Sequence, residues 1–217
     1  MPPSFARCGD APAGSDRPVR LFVSVGLNDA WRRYAGLVAD VLRARHEHEY
    51  RWVRPELYHV TLAFLGNQSP ARLPELRAAL ASAASKVRPF GLELGEFGSF
   101  GVDVPSMLLL RVRDPYASLR ALRGHLDDEL TRRDVPYDRK PLAPHVTLGR
   151  ARQRGRVRRG RAGVGPARPA GRPMQPHPGA DMVPPPALAV ERIELVRSDL
   201  RPSGPVYEPL AHARLGA

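Results

Sequence analysis

A chain of 217 residues that is 42% hydrophobic can bury the core of one ordinary domain. No run of uncharged apolar residues is long enough to cross a membrane as a helix. The first 17 residues lack the apolar segment of a secretory signal and read as a disordered leader. The single cysteine, Cys8, can form no internal disulfide, which suits the cytoplasm. The formal net charge is +12, but it is unevenly spread. Nine arginines and no acid lie between positions 150 and 180, which leaves only +3 for the rest of the chain. Two lysines stand against 32 arginines, a bias of GC-rich coding, so an arginine alone is no sign of function.

The elements follow in order. VRLFVSV, 19–25, is apolar and β-branched enough for a strand. Asn28 is placed to cap a helix over 29–46, with Trp31, Tyr34, Leu37, Val38, Val41 and Leu42 on one stripe. A short strand near 51–54 and a longer one over 59–65 follow, then a helix over about 71–87 carrying Leu73, Leu76 and Leu80. FGLELGEFGSF and SMLLLRVR read as two strands. A helix over about 116–133 repeats Leu119, Leu122, Leu126 and Leu130. A strand over 145–150 comes next. Residues 153–187, rich in Arg, Gly and Pro, break the pattern and read as irregular. LAVERIELVRSDL then reads as one alternating strand and VYEPLAHARL as a final edge strand. Strands interrupted by helices at short intervals predict an α+β fold with mainly antiparallel sheets.

Two of these strands share a tetrapeptide. YHVTLAFLG begins at Tyr58 and PHVTLGRAR at Pro144. Side chains alternate along a strand, so His59 and Thr61 share one face while Val60 and Leu62 face the core. His145 and Thr147 repeat the arrangement. A single His-x-Thr is commonly a satisfied structural pair, but a core gives no reason to repeat it. Two imidazoles facing one site suit acid–base work, one taking a proton while the other gives one. Two threonine hydroxyls can hold the non-bridging oxygens of a phosphodiester between them. This scheme calls for no metal and no cofactor.

The paired motifs resemble the two H-x-T-x signatures of the 2H phosphoesterase superfamily, and within it the RNA 2′,3′-cyclic phosphodiesterases, also called 2′–5′ RNA ligase-like proteins. RLFVSVGL, RWVRPELYHVTLAFLG and ELVRSDLRPSGPVYEPLA are similar to that family in order and spacing. The resemblance implies one bilobal domain over 18–217, two sheets with flanking helices, and an active cleft between them. It implies hydrolysis of an RNA terminal 2′,3′-cyclic phosphate to a 2′-phosphate. His59 would be the proton donor and His145 the proton acceptor, with Thr61, Thr147 and Arg150 on the phosphate. Strict pleating sets Arg150 on the face opposite Thr147, so its role requires a twist or bulge. An RNA-end-binding protein with little turnover, or an enzyme for small cyclic nucleotides, are the alternatives. The expected partner is RNA with a cyclic phosphate end, met by a cytoplasmic monomer.

Other motifs carry less. His46 and His48, with Glu47 and Glu49, read as a solvated helix end rather than a metal site. His125 reads as packing or surface. GEFGSFG lacks the following Lys-Ser/Thr helix of a phosphate loop. Tyr58, Phe64, Phe97 and Phe100 read as core before base-stacking surfaces. The resemblance implies a helix where 153–187 stands. That segment is an arginine-rich RNA-binding arm, a bland insertion, or a stretch read out of frame.

Overall fold

The computed structural model describes residues 17–101, 105–152, 182–202 and 204–216. The expected leader, apart from Arg17, lies outside these residues, as does 153–181 of the irregular segment. Among the described residues nine strands and three α-helices follow in the order β1 (Val19–Gly26), α1 (Asp29–His46), β2 (Tyr50–Trp52), β3 (His59–Gln68), α2 (Leu73–Ala84), β4 (Phe90–Phe100), β5 (Met107–Arg113), α3 (Ser118–Arg132), β6 (His145–Ala151), β7 (Leu188–Val190), β8 (Arg192–Arg201) and β9 (Gly204–Arg214). Among the described residues every strand pairing is antiparallel. No described helix is long and apolar enough to cross a membrane.

The mixed α+β, antiparallel architecture is as expected, with one difference in connection. Hydrogen bonding runs along a single path, β7-β4-β5-β6-β3-β1-β8-β9, with β2 added on β6. Its two halves meet at one bridge, Val60 opposite Val146. The two H-V-T-L strands are therefore each other's partners at the middle of the sheet.

The helices form where pattern and caps coincide. Asn28 Oδ1 accepts the Trp31 backbone N–H at 2.9 Å and closes the start of α1. Trp31, Ala35, Val38, Ala39 and Leu42 make the buried stripe, whereas Leu37 and Val41 are 56% and 40% exposed. The buried stripe therefore differs from the expected one, taking in Ala35 and Ala39 and leaving out Leu37 and Val41. The Trp31 indole N–H reaches the Pro186 carbonyl at 2.9 Å, tying α1 to the described end of the irregular segment. In α3 the four leucines at 119, 122, 126 and 130 are all buried, as their spacing predicts. LAVERIELVRSDL is two strands, not one. β7 pairs with β4 and β8 with β1, and the chain changes partner at Glu191, whose carbonyl accepts the Leu215 N–H at 2.8 Å.

One polar cluster joins α2 to α3. Glu129 is fully buried and takes Ser82 Oγ at 2.6 Å and Lys86 Nζ at 3.0 Å, with Arg132 and Arg133 also on its oxygens. Burial alone would raise its pKa; the Ser82 hydroxyl and the three cations outweigh it and hold the carboxyl at about 2. The folded value lies below the ordinary 4.5, so the stabilisation is complete above that pH and is lost as pH falls toward 2. Glu129→Gln should cost about 3 kcal/mol near neutrality. It should also flatten the acid limb of stability in this window, as read from urea midpoints against pH. An unaltered acid limb would remove Glu129 from the acid response.

Candidate active site

The register of β3 on β6, extended one residue either way from Val60 and Val146, sets His59 against Thr147 and Thr61 against His145. All four side chains stand on the same face, and the helices pack on the other. The apolar partners of the motif, Val60, Leu62, Val146 and Leu148, are at most 1% exposed. The first six residues of the two strands share one burial pattern, so the copies are equivalent in structure as well as in letters.

Each copy carries a β-bulge at its leucine. Opposite β5, Leu108 faces Gly149 and Leu109 faces Thr147, so Leu148 is the extra residue. Opposite β1, Val23 faces Ala63 and Ser24 faces Thr61, so Leu62 is extra. A bulge lets residues three apart share a face. Arg150 is thereby brought to the side of Thr147, and Phe64, 42% exposed, to the side of Thr61. The carbonyls freed by the bulges are both satisfied. The Leu148 oxygen accepts Val53 N–H at 2.9 Å, and the Leu62 oxygen accepts Arg123 Nη1 at 2.7 Å. Gly149 allows the close approach of β2, because a Cβ there would lie 3.3 Å from the Trp52 ring.

The histidines are held alike. His59 Nδ1 bonds the Leu57 carbonyl at 2.8 Å and His145 Nδ1 the Ala143 carbonyl at 2.7 Å. A carbonyl only accepts, so each Nδ1 carries the proton and each Nε2 is the unprotonated nitrogen of the neutral ring. His59 Nε2 lies 3.1 Å from Thr61 Oγ1. Thr147 Oγ1 lies 3.4 Å from Met107 Sδ. Burial lowers the pKa of both rings, and the carbonyl bonds oppose it only in part. The Arg150 guanidinium lowers both further, His145 acts on His59, and Arg111 on His145. Arg111 is the cross-strand neighbour of His145.

Aromatic rings frame the pair. Phe22 and Tyr207 lie 4.9 and 5.3 Å from the His59 ring, and Phe100 lies 5.1 Å from that of His145. Burial raises the Tyr207 pKa, against the opposing charges of Arg150 and Arg20. Tyr207 was missed in the sequence because the last strand brings it to the site across β8 and β1. Phe22 could have been found: it alternates against Leu21 and Val23 in β1. Of the rings expected in the core, Tyr58 is there, and burial pushes its phenol up to about 12. Phe97 is half-buried against the core, whereas Phe100 packs on His145.

Of the remaining candidates, His46 and His125 lie on α1 and α3, away from this face, whereas GEFGSFG reaches it through Phe100. His46 Nδ1 lies 3.3 Å from Glu49 Oε1 at the end of α1. Among the described residues no three of His, Cys, Asp and Glu converge as a metal site. His125 is half-buried on α3, and GEFGSFG is part of β4 and its exit.

A family model described as LigT like Phosphoesterase matches residues 25–106. An RNA 2′,3′-cyclic phosphodiesterase of Geobacillus stearothermophilus is 32% identical over 74% of this chain. That match covers 46% of the relative, so the chain spans about half its length. A protein of the same name from Thermus thermophilus is 30% identical, with 88% of each chain covered. A crystal structure of a Thermus thermophilus protein superposes with a TM-score of 0.66 at 27% identity, covering 91% of this chain and 98% of that one. With both H-V-T-L strands on one face of a shared fold, this chain belongs to the LigT-like phosphoesterase family.

Proposed function

We propose that the protein hydrolyses RNA ends bearing a 2′,3′-cyclic phosphate to 2′-phosphate ends. The carrying observation is the matched pair of imidazoles, each with Nδ1 donating to a backbone carbonyl so that Nε2 is the reactive nitrogen, that of His59 lying 3.1 Å from the Thr61 hydroxyl. Two relatives named RNA 2′,3′-cyclic phosphodiesterase support the choice of substrate. In this reading the two halves of the sheet act as lobes around a cleft whose floor is the Val60–Val146 bridge. The phosphorus sits between the two motifs. His145 Nε2 takes a proton from water as its oxygen bonds to phosphorus. His59, protonated at Nε2, gives its proton to the 3′ oxygen as the P–O3′ bond breaks. The Thr61 and Thr147 hydroxyls and the Arg150 guanidinium hold the non-bridging oxygens, which carry the charge. One copy of the chain carries both motifs and is enough for the chemistry.

The assay is hydrolysis of an oligoribonucleotide ending in a 2′,3′-cyclic phosphate, with EDTA present. Accumulation of the 2′-phosphate product supports the reading; binding without turnover would replace it with an RNA-end-binding role.

The depressed histidines set the pH response. One ring must be protonated and the other neutral, so kcat/KM follows a bell whose limbs belong to the pair. Both pKa values lie below the ordinary 6.5, so the maximum should fall on the acid side of 6.5. Raising pH through this range strips the donor of its proton. Arg150→Gln should move the whole bell to higher pH, because Arg150 lowers both rings, and should weaken phosphate binding. A wild-type maximum on the alkaline side, or a bell that stays in place in Arg150→Gln, contradicts this electrostatic account.

A further inference from the structure

The face that carries the histidines continues outward across β1 and β8 to the edge strand β9. Cross-strand partners run Thr61, Ser24, Glu194, His212, so the four side chains share one side of the sheet. At the outer end, Arg192, Glu194, Pro209, Leu210, Ala211 and His212 line a pocket of about 340 Å³. Glu194 is well packed, its side chain 20% exposed, and its Oε1 accepts Arg192 Nε at 3.2 Å. Both carboxylate oxygens lie beside Gly26, the cross-strand partner of His59: a Cβ there would stand 3.8 and 3.9 Å from them. The carboxylate thus lies beside the strand that pairs with the first catalytic motif. Pro209 and Leu210 provide an apolar wall.

Position and chemistry together suggest the occupant. His59 gives its proton to the 3′ oxygen of the leaving ribose, so the nucleoside extends over the β3–β1–β8 half of the face. Thr61 and Glu194 are two strand spacings apart, roughly 10 Å. The reach from a ribose 3′ oxygen to the far edge of its base is of the same order. A carboxylate only accepts hydrogen bonds, so the base edge must present donors to it. Guanine presents N1–H and N2–H side by side, with the O6 acceptor beside them. A ring N–H of His212 or the Arg192 guanidinium can donate to that O6. Adenine and cytosine set a ring nitrogen lone pair next to their amino group, which the carboxylate repels. Uracil offers one N–H between two carbonyls.

We propose that Glu194 and His212 form a guanine-reading subsite on the catalytic face, so that the substrate is RNA ending in guanosine 2′,3′-cyclic phosphate. This rests on the phosphodiesterase reading and narrows it. The test compares kcat/KM for the guanosine, adenosine, cytidine, uridine and inosine 2′,3′-cyclic monophosphates. A base edge read by a well-formed pair of hydrogen bonds is discriminated about 10- to 100-fold, and the partial exposure of this pocket favours the lower end. Guanosine should lead the other three coding nucleosides by about tenfold, with inosine, which lacks the N2 amino group, between. Glu194→Gln preserves shape but mixes donor and acceptor, and should bring guanosine within about threefold of the others. His212→Ala should lose part of the preference. Equal rates on all bases in the wild type, preference for another base, or an equal loss on every substrate in Glu194→Gln would each overturn the subsite and leave the phosphodiesterase reading standing. If the wild type opens none of the five compounds nor the oligoribonucleotide, both readings fall together.

Discussion

Alanine at His59 or at His145 should each lower kcat/KM on a cyclic-phosphate RNA end by about 10³- to 10⁴-fold. The two losses should not multiply. The rings serve one in-line displacement, and once either proton transfer fails the other has little left to assist. The double variant should therefore lie within about tenfold of the worse single one. The fold should survive, because the motif's core contribution comes from Val60, Leu62, Val146 and Leu148, which are left in place. Thermal melting separates the two effects: an inactive variant that melts near the wild type isolates the chemistry. A single histidine variant that keeps more than about a tenth of the activity would sink two-histidine catalysis. Removing one hydroxyl, Thr61→Val or Thr147→Val, should cost less, about 10- to 100-fold, because the other phosphate ligands remain.

How far this site could be read in advance depends on the range of the interactions that build it. The facing of His59 with Thr61, and of His145 with Thr147, follows from the period of two, which is written locally. The leucine stripe of α3 is likewise local, and all four of its leucines are buried. Register between strands whose motifs lie 86 residues apart is a tertiary outcome, and only the structure reveals that Val60 meets Val146. The bulges at Leu62 and Leu148 leave no composition signal, since leucine is an ordinary strand residue. For that reason the facing of Arg150 could be posed in sequence only as a requirement for a bulge. The change of partner at Glu191 is similarly silent, because the alternation of LAVERIELVRSDL continues through it. Tyr207 and Glu194 join the catalytic face from the last two strands, which no local pattern links to the histidines.

Arg123 should matter more than its place on a leucine-rich helix suggests. Its side chain is buried and each of its three nitrogens donates a hydrogen bond: Nε to Asp127 at 2.6 Å, Nη1 to the Leu62 carbonyl at 2.7 Å and Nη2 to the Asp138 carbonyl at 2.8 Å. Asp138 N–H in turn donates to the Phe64 carbonyl at 2.9 Å, so a clamp closes around the bulge of the first motif. Arg123→Met fills similar volume but leaves the buried Leu62 carbonyl and the partly buried Asp138 carbonyl without this donor, at a cost of about 2–4 kcal/mol. For a chain of this size that lowers Tm by about 6–12 °C. Lysine should not rescue it, because one ammonium cannot span three acceptors set for a planar fork. Leu126→Ala on the same helix is the control, with a comparable loss of about 2–5 kcal/mol from the shared core but no hydrogen bond to the bulge carbonyl removed. Measured well below both melting points, Arg123→Met should lose about tenfold in kcat while Leu126→Ala stays close to the wild type. That difference follows if the clamp holds His59 and Thr61 in register with His145 and Thr147. Equal kcat in the two variants would mean that the bulge keeps its shape without the guanidinium, and Arg123 would then be a stabilising residue only.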